Sequence, residues 1–142
     1  MIRRELVEKP DVSIELINQF AGSGTSLQVL KEMLGDERYS WVRILVAFAR
    51  GSGVGLLGKE LASFIEREGR VEVIVGLDLD GTSPDALKSL ISIGAEVRVF
   101  GTKGGRTFHP KAFIFGDGDD SLAALVGSFN LTAGGLDSNF ET

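Results

Sequence analysis

Residues 41–49, Trp-Val-Arg-Ile-Leu-Val-Ala-Phe-Ala, run through Arg50 into Gly51-Ser52-Gly53-Val54-Gly55, and the character of the chain changes there. The first run is apolar, with β-branched and aromatic members, and reads as a strand covered on both faces. Beyond the glycines, Leu56, Leu57, Leu61, Phe64 and Ile65 fall on one helical face, which predicts a helix to about Glu68. Further on, 71–77 reads as a second buried strand. Ser83-Pro84 opens a helix with Pro at its first position, Gly94 closes it, and 96–100 reads as a third strand. Strand, helix, strand, helix, strand implies right-handed crossovers and a parallel sheet. The runs 111–115 and 122–126 are joined by Gly116-Asp117-Gly118-Asp119-Asp120-Ser121, a hairpin signal. On the N-terminal side, 12–20 and 26–34 read as short amphipathic helices, with Ser13 and Ser26 near N-cap positions and Gly22-Ser23-Gly24 between them. The expected fold is α/β: a mixed β-sheet flanked by helices, parallel strands plus a C-terminal β-hairpin, in a single domain over 1–142.

A chain of 142 residues can bury roughly two-thirds of its unfolded surface, so its core needs no staples. The absence of cysteine removes disulfides, thiolate catalysis and cysteine-based zinc sites. A single histidine, His109, removes a zinc site of clustered histidines and a His–His pair within one chain. Fifteen Lys and Arg against twenty Asp and Glu leave a formal charge of −5, which argues against a free-standing non-specific nucleic-acid binder. The N-terminal stretch MIRRELVEKPDV has no apolar segment after its charges and is not read as a signal peptide. No apolar run approaches the roughly 20 residues that span a bilayer, so a cytoplasmic protein without membrane partners is expected.

The chemistry-bearing residues collect in the hairpin. His109-Pro110-Lys111 precedes its first strand, and Gly127-Ser128-Phe129-Asn130-Leu131-Thr132 ends its second. The start of one hairpin strand lies beside the end of the other, so His109, Lys111, Ser128 and Asn130 are expected at one end of the sheet. Residues two apart share a face. Such a group suits an anion: Lys111 brings a point charge, Asn130 an amide, Ser128 a hydroxyl, and the turn at Gly127 lets backbone N–H groups approach. His109 then stands beside a bound phosphate as nucleophile or acid. Glu141 follows Thr132 by nine residues and is expected to fix the imidazole tautomer by accepting its second N–H. Arg98, Lys103, Arg106 and Lys111 form an acid-free stretch, of which Lys103 and Arg106 are candidates to guide a phosphate backbone.

FHPKAFIF, GSFNLT and the closing NFET resemble the HKD motif of the phospholipase D superfamily, and most of all its small bacterial phosphodiesterases and restriction-type nucleases. That motif runs H-x-K, four residues, Asp, six residues, G-S-x-N, with a Glu shortly after. His109, Lys111, Gly127, Ser128, Asn130 and Glu141 match it; the Asp position falls on Gly116, and the spacing to Gly127 is four residues longer. The resemblance implies a metal-independent, cofactor-free phosphodiesterase with the family's α/β fold. In its mechanism His109 attacks phosphorus, a second His109 protonates the leaving oxygen, and Lys111 with Asn130 holds the non-bridging oxygens. The family's site needs two motifs and this chain has one, which implies a homodimer. The branch implies a DNA endonuclease domain, expected to belong to a longer protein whose remainder supplies DNA recognition or a helicase.

Three other readings compete. A non-catalytic domain could keep the fold for dimerisation or nucleic-acid binding, though both His109 and Lys111 are retained. A phospholipase-type enzyme would be expected to carry two motifs on a longer chain. Asp78-Leu79-Asp80-Gly81-Thr82 resembles the first motif of haloacid-dehalogenase-type, magnesium-dependent phosphatases, and Gly116–Asp120 mimics their magnesium loop. Only 60 residues follow Thr82, too few for that fold, so Asp78 and Asp80 are read as turn and helix-capping residues. The glycines at 51, 53 and 55 lack the Lys of a P-loop and are read as a tight, closely packed strand-to-helix turn rather than a phosphate seat.

Overall fold

A computed structural model describes residues 12–17, 19, 24–139 and 141. Five strands form one sheet in the order β3-β2-β1-β4-β5. β1 (Trp41–Val46), β2 (Arg70–Gly76) and β3 (Glu96–Phe100) are parallel, while β4 (Lys111–Asp117) and β5 (Asp120–Val126) form the antiparallel hairpin. Helices α2 (Gly51–Glu66) and α3 (Pro84–Ile93) make the two crossovers, and α1 (Ser26–Gly35) precedes β1. The mixed sheet and its helices are the expected α/β class.

Local sequence explains the element ends. Thr25 caps α1 by accepting from the Gln28 N–H, and the Gln28 side chain returns the bond, a capping box. The cap is therefore Thr25 and not Ser26, which is buried inside the first turn. Ser83 caps α3 ahead of Pro84, and Gly94 ends it in the left-handed conformation at φ 101°. Three glycines weaken the first turns of α2, and burial of Val54, Leu57, Leu61 and Phe64 holds it in place. Gly53 is packed so closely that a Cβ there would overlap the Leu131 carbonyl, as a tight strand-to-helix turn requires.

Alternation along the strands divides the sheet into two unlike faces. Val42, Ile44, Val46, Val71, Val73, Val75, Phe113 and Phe115 point inward and join the buried side chains of all three helices in one core. The other face carries a ladder of ion pairs, Arg43–Glu72 (2.6 Å), Glu72–Arg70 (2.8 Å) and Arg70–Glu96 (2.8 Å), beside partly exposed Leu45, Ile74 and Ile114. β1 and β2 are thus covered on one face, not on both. Arg43 and Glu72 interrupt their apolar runs at the outward positions.

Residues 12–17 are not a helix. Val12, Ile14 and Leu16 are exposed at 72%, 93% and 80%, a period of two that gives a helix no apolar face to bury. Asn18, Phe20, Gly22 and Ser23 of that expectation, and residues 1–11 of the N-terminal stretch, lie outside the described residues.

Candidate active site

The C-terminal ends of β1, β2 and β3, the start of β4 and the end of β5 meet along one edge of the sheet. Strand order reverses at β1, because the chain leaves it toward β2 and β3 and later returns to its other side as β4. In open α/β sheets such a switch point opens a crevice beyond the strand ends, where ligands bind. His109 stands there. Its neighbour Pro110 accepts a 2.9 Å hydrogen bond from the Ala47 N–H just past β1.

Lys111 shares the parity of Phe113 and Phe115 and so faces the helix layer, at the strand end where that layer opens. Its Nζ lies 2.9 Å from His109 Nδ1 and 3.2 Å from Nε2. Both ring nitrogens therefore lie within hydrogen-bond reach of the Lys111 head group. Partial burial lowers the Lys111 pKa below the usual lysine value, and the Glu141 carboxylate opposes that shift. The His109 ring also meets the partly buried Phe48 ring edge-on, at 6.2 Å between centroids and an angle of 82°.

The GSFNLT segment owes its shape to alternation. Phe129 and Leu131 are buried, Phe129 stacking on Phe113 at 5.6 Å, which leaves Ser128 and Asn130 on the outer side. The segment is stitched to the β1–α2 junction. Phe48 N–H donates to Asn130 Oδ1 (3.1 Å), Leu131 N–H to the Phe48 carbonyl (3.2 Å), and Arg50 N–H to the Leu131 carbonyl (3.0 Å). Gly127 N–H donates to the Lys111 carbonyl at 3.4 Å. With Oδ1 accepting from Phe48, the Asn130 NH₂ is left to act as a donor.

Glu141 departs from its expected role. Among the described residues its carboxylate takes the Ser128 hydroxyl and the Asn139 amide (3.4 Å), and makes no hydrogen bond to His109. The turn at Gly134–Ser138 and the Ser128 contact carry it to the Lys111 side of the site, where its charge is felt. The contacts therefore link His109 to Lys111, Glu141 and Ser128 on one side, and to Phe48 and Asn130 on the other. Lys103 and Arg106 are exposed on the loop between β3 and β4, at whose tip Gly104 and Gly105 both have positive φ. Among the described residues neither head group has a hydrogen bond or ion pair.

Sequence reasoning missed Phe48 and Gln19. Gln19 donates to the Asn139 and Gly135 carbonyls (2.8 and 3.3 Å) and accepts from Ser26 N–H (3.0 Å), tying the segment that carries Glu141 to the start of α1. Neither residue lies in a motif, so no local signal marks them. Gly116, where the family motif has Asp, sits at a β-bulge, and a Cβ there would overlap the Trp41 ring. Asp78 is a turn residue but caps no helix: Oδ2 accepts from Phe108 N–H (2.9 Å) and Oδ1 from Thr102 N–H (3.1 Å) and Oγ1 (3.0 Å). Those bonds lower its pKa, that from Phe108 most.

Among the described residues no helix is long and apolar enough to cross a membrane. A search of curated proteins by sequence finds no match. In fold, the chain is similar to a phospholipase D family member, Nuc from Salmonella typhimurium, with a TM-score of 0.59 and 20% identity over 80% of this chain and 70% of that one. It is also similar to polyphosphate kinase from Porphyromonas gingivalis, with a TM-score of 0.51 and 18% identity over 75% of this chain but only 18% of the kinase. A family model described as cardiolipin synthase, PLD-like domain, matches residues 16–142. With nearly the whole chain matched, and His109 and Lys111 at the switch point of the sheet, the protein belongs to the PLD-like domain family of the phospholipase D superfamily.

Proposed function

We propose that the protein is a metal-independent phosphodiesterase, and specifically a DNA endonuclease that works through a covalent phosphohistidine in a site shared by two copies of the chain. One observation carries this reading: the His109 ring and the Lys111 head group held 2.9 Å apart at a topological switch point. In the reaction, a ring nitrogen of His109 attacks phosphorus and the P–O bond to the leaving group breaks. A second His109, from the partner copy, gives its proton to the departing oxygen and then takes one from the water that hydrolyses the phosphohistidine. One imidazole must start neutral, to attack, and the other charged, to donate its proton. Lys111 and the Asn130 NH₂ bind the non-bridging oxygens as charge builds on them. Ser128 and Glu141 brace this group, and the Gly127 turn brings backbone close to it. Lys103 and Arg106 supply unpaired positive charge for the flanking phosphates of DNA.

The test is cleavage of plasmid DNA and of bis-p-nitrophenyl phosphate in excess EDTA, wild type beside His109→Ala. Wild type is expected to cut both, and the variant to lose activity by on the order of 10³-fold or more. Equal cutting by the two proteins would remove His109 from the mechanism. A folded wild type that cuts neither substrate would leave a binding module instead.

A further inference from the structure

The Asp78-Leu79-Asp80-Gly81-Thr82 turn has no part in the mechanism above, yet it holds unusual backbone close to the site. Leu79 and Asp80 both have positive φ, 58° and 51°, a conformation that costs free energy in residues other than glycine and persists only when the surroundings impose it. Three groups of the turn grip the two segments that flank the imidazole. The first is the Asp78 carboxylate, whose bonds to Thr102 and Phe108 fasten both ends of the loop that delivers His109. The second is Gly81, where a Cβ would overlap the Phe48 ring, so its missing side chain gives that ring its place edge-on to His109. The third is the Thr82 hydroxyl, which donates to the Gly76 carbonyl (2.6 Å) and accepts from Ala49 N–H (3.2 Å), locking the turn to β2 and to the residue after Phe48.

We propose that this turn, through Asp78 and Gly81, is the positioning element for His109, fixing from opposite sides the loop that carries the imidazole and the ring against which it rests. Asp78 is a positioning residue: its carboxylate meets backbone and the Thr102 hydroxyl and never substrate. The proposal rests on His109 being the reacting group for its effect on rate, while its effect on the ring is independent of any reaction.

His109 is the only histidine, so its imidazole signals in NMR spectra belong to one residue. Wild type should show a single set of ring signals with one tautomer. Asp78→Ala should shift or split them, with circular dichroism unchanged. In the same protein kcat on bis-p-nitrophenyl phosphate should fall about a hundredfold and KM change little, because the misplaced group is the nucleophile and not the phosphate grip. Asp78→Asn, which keeps one accepting oxygen, should lie between. Asp80→Asn is the control, since asparagine tolerates positive φ and among the described residues the Asp80 carboxylate makes no hydrogen bond. If Asp78→Ala does not fold, Asp78→Asn and Thr102→Val decide, each removing part of the same anchor. Ring signals and kcat in the Asp78 variants equal to those of Asp80→Asn would overturn the proposal. A wild type without activity would count against the phosphodiesterase reading alone, and the ring signals would still decide this one.

Discussion

Lys111 is where local environment and proposed chemistry bear most directly on each other. Its position on the helix-facing side of β4 costs the ammonium part of its hydration, and so lowers its pKa below the usual lysine value. A lowered lysine pKa means the charge is present below the folded-state value and is lost as pH rises through it, earlier than for an exposed lysine. If Lys111 grips the phosphate, KM on bis-p-nitrophenyl phosphate should rise on the alkaline side before the ordinary lysine range is reached. Lys111→Arg should abolish that rise, because a guanidinium stays charged, while lowering kcat through its different donor geometry. KM profiles that coincide in the two proteins would show that some other group sets the alkaline limb. The Lys111 side chain was legible from the H-x-K spacing; its shifted pKa was not, because burial at a strand end depends on the helix layer above it.

Within α2, two glycines two residues apart, on opposite faces of the helix, should respond to the same substitution with opposite signs. Gly53→Ala would drive a Cβ into the Leu131 carbonyl, and overpacking of this kind costs about 1–3 kcal/mol. The damage should reach the site, because Leu131 links Arg50 to the backbone beside Asn130. Gly55 has nothing within 4 Å of the added carbon, so Gly55→Ala should raise stability by roughly 0.5–1 kcal/mol through helix propensity. Urea midpoints of the two variants test the pair, and a stabilising Gly53→Ala would refute the close packing. The spacing of glycines was visible in the sequence, but which of them meets another chain segment was not. The same division runs through the fold. Elements from α2 to β5 follow from periodicity and caps, since each is specified by residues within it. The segment 12–17 was misread because Val12, Ile14, Leu16 and Ile17 also fit a helical tally of apolar residues. The open sheet face was misread because Arg43 and Glu72 find their charges in each other, which no single strand reveals. Asp78 looked like a phosphatase motif because the residues that satisfy it lie 24 and 30 positions away.

At the scale of the whole molecule, the single histidine becomes a constraint on assembly. The proposed reaction needs one imidazole to attack and another to protonate, and each chain supplies one, so the proposal assigns activity to a pair of copies related by a two-fold axis. Mixing makes this measurable. When wild type and His109→Ala are combined in equal amounts and left to exchange subunits, about one dimer in four carries two histidines, about half carry one, and the rest carry none. If a site needs both imidazoles, activity should fall during exchange to about half of its value at the moment of mixing, although no wild-type chain has been lost. If each chain acts alone, activity should stay constant throughout. The specific activity of wild type should also fall on dilution, as pairs separate by mass action. Constant activity on mixing, with sedimentation showing that subunits have exchanged, would place the whole reaction within one chain and require a second proton donor there. No histidine remains to serve. Lys111, at 2.9 Å from the ring and with a lowered pKa, would then be the first residue to examine.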